Sequence, residues 1–182
     1  MSKLIIINGP LGSGKSTLAQ KYAQGHPLTL QINVDTIRRM ISFYREEKDL
    51  SGPLSKQLAV SMARTHLNEG YDVVISQIFY QPDVMQQCEH LCQETESDLY
   101  ECVLTLSREE SLRRFIERGI RDGHPDGFRP GGSVDIGGRE KNVLELYDTL
   151  MQFISTRPNI IPIPSIDGEI EQTYQDLLSK IR

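Results

Sequence analysis

Gly9-Pro10-Leu11-Gly12-Ser13-Gly14-Lys15-Ser16 decides how the rest of this 182-residue chain is read. It follows a short β-branched run, Lys3 to Asn8, and precedes a stretch of helical pattern, Lys15 to Gln24, closed by Gly25 and Pro27. The spacing GxxxxGK[ST] between a strand and a helix has a physical cause. Its glycines let the backbone wrap so that successive N–H groups point at phosphate oxygens, and the helix N-terminus adds its positive end. Lys15 brings a point charge to the β- and γ-phosphates, and the Ser16 hydroxyl is the ligand for Mg²⁺. Residues Gly9 to Thr17 are therefore read as a site for a nucleoside triphosphate.

Outward from this loop, short apolar runs alternate with helical patterns. Strands are expected at Leu28–Asn33, Asp72–Ile78, Leu99–Leu106 and Ile160–Ile163. Helices are expected at Asp35–Tyr44, with Ile37, Met40 and Ile41 on one face, and at Pro53–Glu69, with Leu54, Leu58, Met62 and Leu67 at helical spacing. Others follow at Pro82–Glu94, from the capping box Ser107-Arg108-Glu109-Glu110 to Arg118, at Arg139–Ser155 and at Glu169–Ile181. Such alternation implies a parallel sheet covered on both faces. Pro162 and Pro164 assign the last strand to an edge. Residues 119–138 hold seven glycines and two prolines, a long loop of the kind that serves as a lid. With no repeat, linker or low-complexity tract, residues 1–182 read as one domain.

Composition excludes several classes. A charged fraction of 25% is that of an ordinary globular protein. No apolar run approaches the length of a membrane span, and Leu4 to Ile7 is too short for a signal-peptide core, so a cytoplasmic protein is expected. Three cysteines, Cys88, Cys92 and Cys102, have neither framework nor metal-site spacing. A net charge of −5 disfavours a dedicated nucleic-acid binder. The charge is uneven: residues 1–44 carry five basic groups against the single acid Asp35, whereas residues 45–100 carry four against ten. A GTPase would need Asn-Lys-x-Asp, which the chain lacks, and the D-x-x-G letters at 135–138 fall in the glycine-rich loop.

The stretches IIINGPLGSGKSTLA, INVDTIRRMI, GYDVVIS and LSREESLRRFIERG together resemble the small P-loop kinases of the AAA_33 type. That group includes polynucleotide 5′-hydroxyl kinase domains, chloramphenicol phosphotransferase and gluconate-kinase-like proteins. The resemblance spans essentially the whole chain. It implies a P-loop NTPase fold, α/β in three layers, with a five-stranded parallel sheet ordered 2-3-1-4-5. It also implies Mg·ATP as phosphoryl donor and a small-molecule hydroxyl as acceptor. By the same resemblance, Asp35 faces the acceptor hydroxyl and Arg38 holds an acceptor anion; capping of its own helix is the other role open to Asp35. Arg114, Arg118 and Arg121, spaced by four and three, are either lid arginines, Arg118 foremost, or a solvated face beside Glu110 and Glu117. Arg129 and His124 are weaker candidates within the loop. Phe43 and Tyr44 either line an acceptor pocket or pack.

One departure stands out. The third strand of such kinases usually ends in an acid that holds Mg²⁺ through water, but here it reads Val73-Val74-Ile75-Ser76-Gln77. Asp72 lies at the wrong end and Asp83 too far along. Either Asp35 serves the metal as well as the acceptor, or catalysis is slow, or the domain binds nucleotide without transferring phosphate. Besides a small-molecule kinase, the readings open at this point are a polynucleotide 5′-hydroxyl kinase and a non-catalytic ATP-binding regulatory module. Oligomeric state is open.

Overall fold

The computed structural model describes residues 1–129, Val134 and 138–181. Within them the elements run β1 (Lys3–Asn8), α1 (Lys15–Gly25), β2 (Leu30–Ile32), α2 (Val34–Met40), α3 (Lys48–Asn68), β3 (Val73–Ser76), α4 (Pro82–Glu94), β4 (Asp98–Thr105), α5 (Arg108–Arg121), α6 (Glu140–Ser155), β5 (Ile161–Pro164) and α7 (Ile170–Lys180). The strands form one parallel sheet in the order β2-β3-β1-β4-β5, as the resemblance implied. β5 lies at an edge, where its prolines cost no ladder bond.

Central β1 is buried on both faces, and its period of two divides the core. Leu4 and Ile6 point into a cluster with Ala63 and Leu67 of α3 and Met85 and Leu91 of α4. Ile5 and Ile7 point the other way, to Leu18 and Tyr22 of α1 and Leu177 of α7. Three α/β/α layers result. Asp72, just before β3, accepts from Lys3 N at 2.9 Å and from the Tyr22 hydroxyl at 2.8 Å. It fastens the end of the sheet away from the phosphate loop.

Several expectations are corrected. α3 begins at Lys48, five residues before the expected start, and Pro53 lies inside it. Buried Ser51 stabilises this early turn: its hydroxyl donates to Tyr44 O at 2.8 Å, and its amide donates to Glu47 O at 2.8 Å. The buried face of α3 is Ser51, Ser55, Ala59, Ala63 and Leu67, a stripe of mostly small residues that permits close approach to the sheet. Leu54, Leu58 and Met62 are one position off that stripe and exposed. α2 ends at Met40, which is 76% exposed rather than core-facing, and Phe43 adopts positive φ. β2 spans only Leu30–Ile32 because Leu28 also has positive φ.

α5 extends through Arg121, so 119–121 are helix rather than loop. Its buried residues are Ser111 and Gly119, and Leu112, Phe115 and Ile116 are half-buried. The chain after α5 folds back on it so tightly that a Cβ on Gly119 would lie 1.9 Å from Gly127 O. Phe128 is buried, its ring 5.7 Å from that of Phe115. Most of the remainder of the expected lid, 130–133 and 135–137, lies outside the described residues.

Candidate active site

The C-terminal ends of the central strands open into a cavity of about 560 Å³. In doubly wound sheets this is where ligands bind. Residues Leu11 to Thr17 line it, and Gly9 and Pro10 lie buried behind them. Gly12 carries positive φ, and a Cβ there would meet Ser111 O at 2.9 Å, so the loop can pass α5 this closely only with glycine.

The loop is braced from behind by side chains with no sequence signature. Asn8, fully buried at the end of β1, accepts from Gly9 N at 2.8 Å and Phe79 N at 3.1 Å and donates to Phe79 O at 2.7 Å. Ser111 of α5 donates to Leu11 O at 2.7 Å. Ser165, just after β5, donates to Ser13 O at 3.0 Å. The only local hint was Asn8, a polar residue closing an apolar run.

Lys15 donates to Pro10 O at 2.7 Å. Burial above all, together with the neighbouring Arg118 charge and against the Asp35 carboxylate, lowers its pKa to about 7. Lys15, Arg118 and Asp35 are thus close enough to feel one another across one cavity. α2 is capped by Asn33, whose side chain accepts from Thr36 N at 3.1 Å. Asp35 is therefore relieved of capping. Its exposed carboxylate makes no hydrogen bond or ion pair among the described residues and lines the cavity.

The three α5 arginines all line the cavity but differ in commitment. Arg114 is mostly buried; it pairs with Glu110 at 2.6 Å and donates to Ser165 Oγ at 3.0 Å and to Ser165 O at 3.1 Å. Arg118 and Arg121 make no ion pair among the described residues, and Arg118 lies 5.5 Å over the Phe115 ring. Arg38 is not brought into the cavity. Its guanidinium donates to Ser51 Oγ at 3.0 Å and Lys48 O at 3.3 Å, joining α2 to α3. Arg129 and His124 are likewise outside the lining, as are Phe43 and Tyr44; Phe43 is 75% exposed.

At the end of β3, Ser76 and Gln77 both line the cavity. The Ser76 hydroxyl is buried and has no hydrogen-bond partner among the described residues. The stretch Ser165 to Gly168, which sequence reading passed over, forms a further wall carrying exposed Ile166. The three cysteines are buried and free, and burial holds each thiol well above its ordinary range. Among the described residues no His/Cys/Asp/Glu cluster could hold a metal, and no helix is long and apolar enough to cross a membrane.

A model of the AAA_33 family, described as an AAA domain, matches residues 4–127. No curated protein matches the chain. Among solved structures, it is similar to a chain of the Pnkp1/Rnl/Hen1 RNA repair complex, with TM-score 0.66 and 22% identity over 92% of this chain. The match spans only 50% of that longer chain. A putative kinase from Chloroflexus aurantiacus J-10-fl matches over 100% of this chain and 99% of its own, with TM-score 0.66 and 15% identity. A gluconokinase from Sinorhizobium meliloti 1021 matches over 97% and 90%, with TM-score 0.58 and 16% identity. At such identities the likeness is one of fold.

Proposed function

The chain belongs to the AAA_33 family and has a kinase-like P-loop fold, and on that premise we propose that it transfers the γ-phosphoryl group of ATP to a hydroxyl of a small molecule. One observation carries this reading. Asp35, freed from capping by Asn33, shares a cavity with Lys15 and Arg118 and acts electrostatically on Lys15. A donor's phosphates and an acceptor's hydroxyl can then meet between opposite charges.

In this reading the N–H groups of residues 12–17 and the start of α1 cradle the phosphates. Lys15 neutralises the β- and γ-oxygens, and Arg118 adds charge where the phosphoryl group passes between oxygens. Asp35 orients the acceptor hydroxyl and takes its proton as its oxygen bonds to phosphorus and ADP departs. The residues present suit Mg²⁺, a cation that prefers oxygen ligands. The Ser16 hydroxyl would hold it, with the Asp35 carboxylate and the unpartnered Ser76 hydroxyl on the same cavity wall. Held there, the ion would supply positive charge to offset the charge that develops on the transferring phosphoryl group. Gln77 replaces the usual acid, so Asp35 is the acid of this wall in both roles.

The test is ADP release from Mg·ATP across sugars, sugar acids, nucleosides, aminoglycosides, chloramphenicol-like drugs and 5′-hydroxyl oligonucleotides, with Asp35→Ala as control. Stimulation by one acceptor, lost in Asp35→Ala, establishes the kinase. A second reading, a nucleotide-binding module without catalysis, is favoured by the missing β3 acid. Tight ATP binding with no acceptor response, unchanged in Gln77→Asp, would select it. The oligonucleotide arm tests the polynucleotide reading; salt-dependent affinity would support it against the net charge of −5.

A further inference from the structure

Beside the nucleotide cavity lies a second of about 170 Å³, lined by Lys56 of α3, Leu146 of α6 and the stretch Gln77 to Gln81. Gln77, Ile78 and Leu146 line both, so the two adjoin at the end of β3. Their charges differ. The larger lining mixes the acids Asp35, Glu117 and Asp167 with Lys15 and three arginines, whereas Lys56 is the one charged residue of the smaller among the described residues. The Lys56 ammonium donates to Gln81 Oε1 at 2.6 Å and makes no ion pair among the described residues, so further donors of the ammonium remain for a ligand. Gln81 is also the N-cap of α4 and leaves that helix end without a side-chain cap, so the positive end of α4 begins at the same wall. Asp83, in the first turn of α4, is exposed and outside the lining.

The wall is also held in register with the phosphate loop. Asn8 bonds both the amide and the carbonyl of Phe79 while accepting from Gly9 N. A group bound against Lys56 is thereby fixed relative to the reacting phosphate, which is what positioning an acceptor requires. Gln77, Tyr80 and Gln81 offer amide and hydroxyl partners, and Phe79, Ile78 and Leu146 apolar surface. At a size near the roughly 150 Å³ that encloses benzene, the cavity takes a few heavy atoms rather than a nucleoside.

We propose that this second cavity binds the anionic end of the acceptor through Lys56, and that the acceptor is a small hydroxylated acid, a carboxylate or phosphate monoester on a polyol skeleton. The phosphoryl transfer rests on the kinase reading above; the binding does not. Arg38, which the family resemblance suggests for this task, lines neither cavity.

The test uses glycerate, glycerol 3-phosphate and gluconate against their uncharged counterparts glycerol and sorbitol. Binding is followed by calorimetry on the protein with Mg²⁺ and a non-hydrolysable ATP analogue, and turnover by ADP release with Mg·ATP. The acids are expected to bind roughly tenfold or more tightly than the neutral polyols, as one charge-assisted hydrogen bond implies. Lys56→Met should erase that difference, raising KM for the acid far more than it lowers kcat, and Lys56→Arg should restore most of it. Unchanged affinity for the ATP analogue in Lys56→Met shows that the fold is intact. Glycerate against glycerol 3-phosphate decides between carboxylate and phosphate. Acids that bind through Lys56 but are not phosphorylated leave the anion subsite standing and remove the kinase reading. Neutral polyols phosphorylated equally by wild type and Lys56→Met leave the kinase and overturn the subsite. No binding by any acid overturns it whatever the turnover.

Discussion

At the phosphate end of the cleft, Gly9, Leu11 and Ser13 are each tied by a hydrogen bond to a side chain outside the loop, on β1, α5 and the segment after β5. At the acceptor end, α2 and α3 meet through the Arg38–Ser51–Tyr44 chain of hydrogen bonds, while Met40, Phe43 and Leu50 stand more than two-thirds exposed. In the proposed reaction the first region neutralises a charge that does not vary between substrates, and its geometry is over-determined. The second, in the same proposal, meets an acceptor whose shape differs from one kinase to another, and it carries fewer constraints.

The sharpest way to separate the two ends is to remove one charge from each. Asp35→Ala is expected to lower acceptor-dependent turnover by about 10²–10⁴-fold and to weaken Mg·ATP binding much less, because it removes the proton acceptor and the carboxylate beside the metal while the phosphate loop stays intact. Lys15→Met should lower turnover by about 10²–10³-fold and also weaken ATP binding. ADP release and calorimetric titration read both; an Asp35→Ala protein with full turnover would break the division of labour.

Bracing predicts unequal stability costs. Asn8→Ala leaves Gly9 N and both polar groups of the Phe79 backbone buried without partners, a loss of about 3 kcal/mol in urea unfolding. Gly119→Ala forces a methyl onto Gly127 O and should cost roughly as much by overpacking. Met40→Ala, at the acceptor end, should stay within about 0.5 kcal/mol.

Lys15 supplies a pH test of how closely the ends communicate. With its pKa near 7 in the ligand-free protein, the ammonium loses its proton as pH rises from 6 to 8, so affinity for ATP should fall over that range. Bound phosphates favour the charged form, so at pH 8 binding should take up protons, visible in calorimetry as a dependence on buffer ionisation enthalpy. Arg118→Gln removes a repelling charge and should move the midpoint up; Asp35→Asn removes an attracting one and should move it down. The unfolded chain holds this proton up to about 10.5, so between pH 7 and 10.5 the group's contribution to stability rises with pH.

The same contrast explains what sequence reading could reach. The glycine-lysine spacing of residues 9–16 is local chemistry, and strand alternation is a local period, so loop and parallel sheet were legible, while the strand order came with the family resemblance. The braces were not. Asn8–Phe79, Leu11–Ser111 and Ser13–Ser165 join residues 71, 100 and 152 positions apart, beyond any local window. The packing face of α3 was misread because hydrophobicity ranks Leu54, Leu58 and Met62 above Ser55 and Ala59, while close approach to the sheet selects small volume. Lys56 stood in no pattern at all; only the fold seats it beside Gln81.

Arg38 gives a small predicted effect and the finest discrimination. Its family resemblance makes it an acceptor ligand, yet its guanidinium is occupied by Ser51 Oγ and Lys48 O. If joining α2 to α3 is its whole task, Arg38→Gln should cost about 1 kcal/mol of stability, the usual worth of such hydrogen bonds, in urea unfolding. KM for an acidic acceptor should then stay nearly as in wild type, in contrast to Lys56→Met. A rise in KM matching that of Lys56→Met, with stability unchanged, would reverse the assignment: Arg38 would have to leave Ser51 on acceptor binding, and the acceptor end would be a region that rearranges around its ligand.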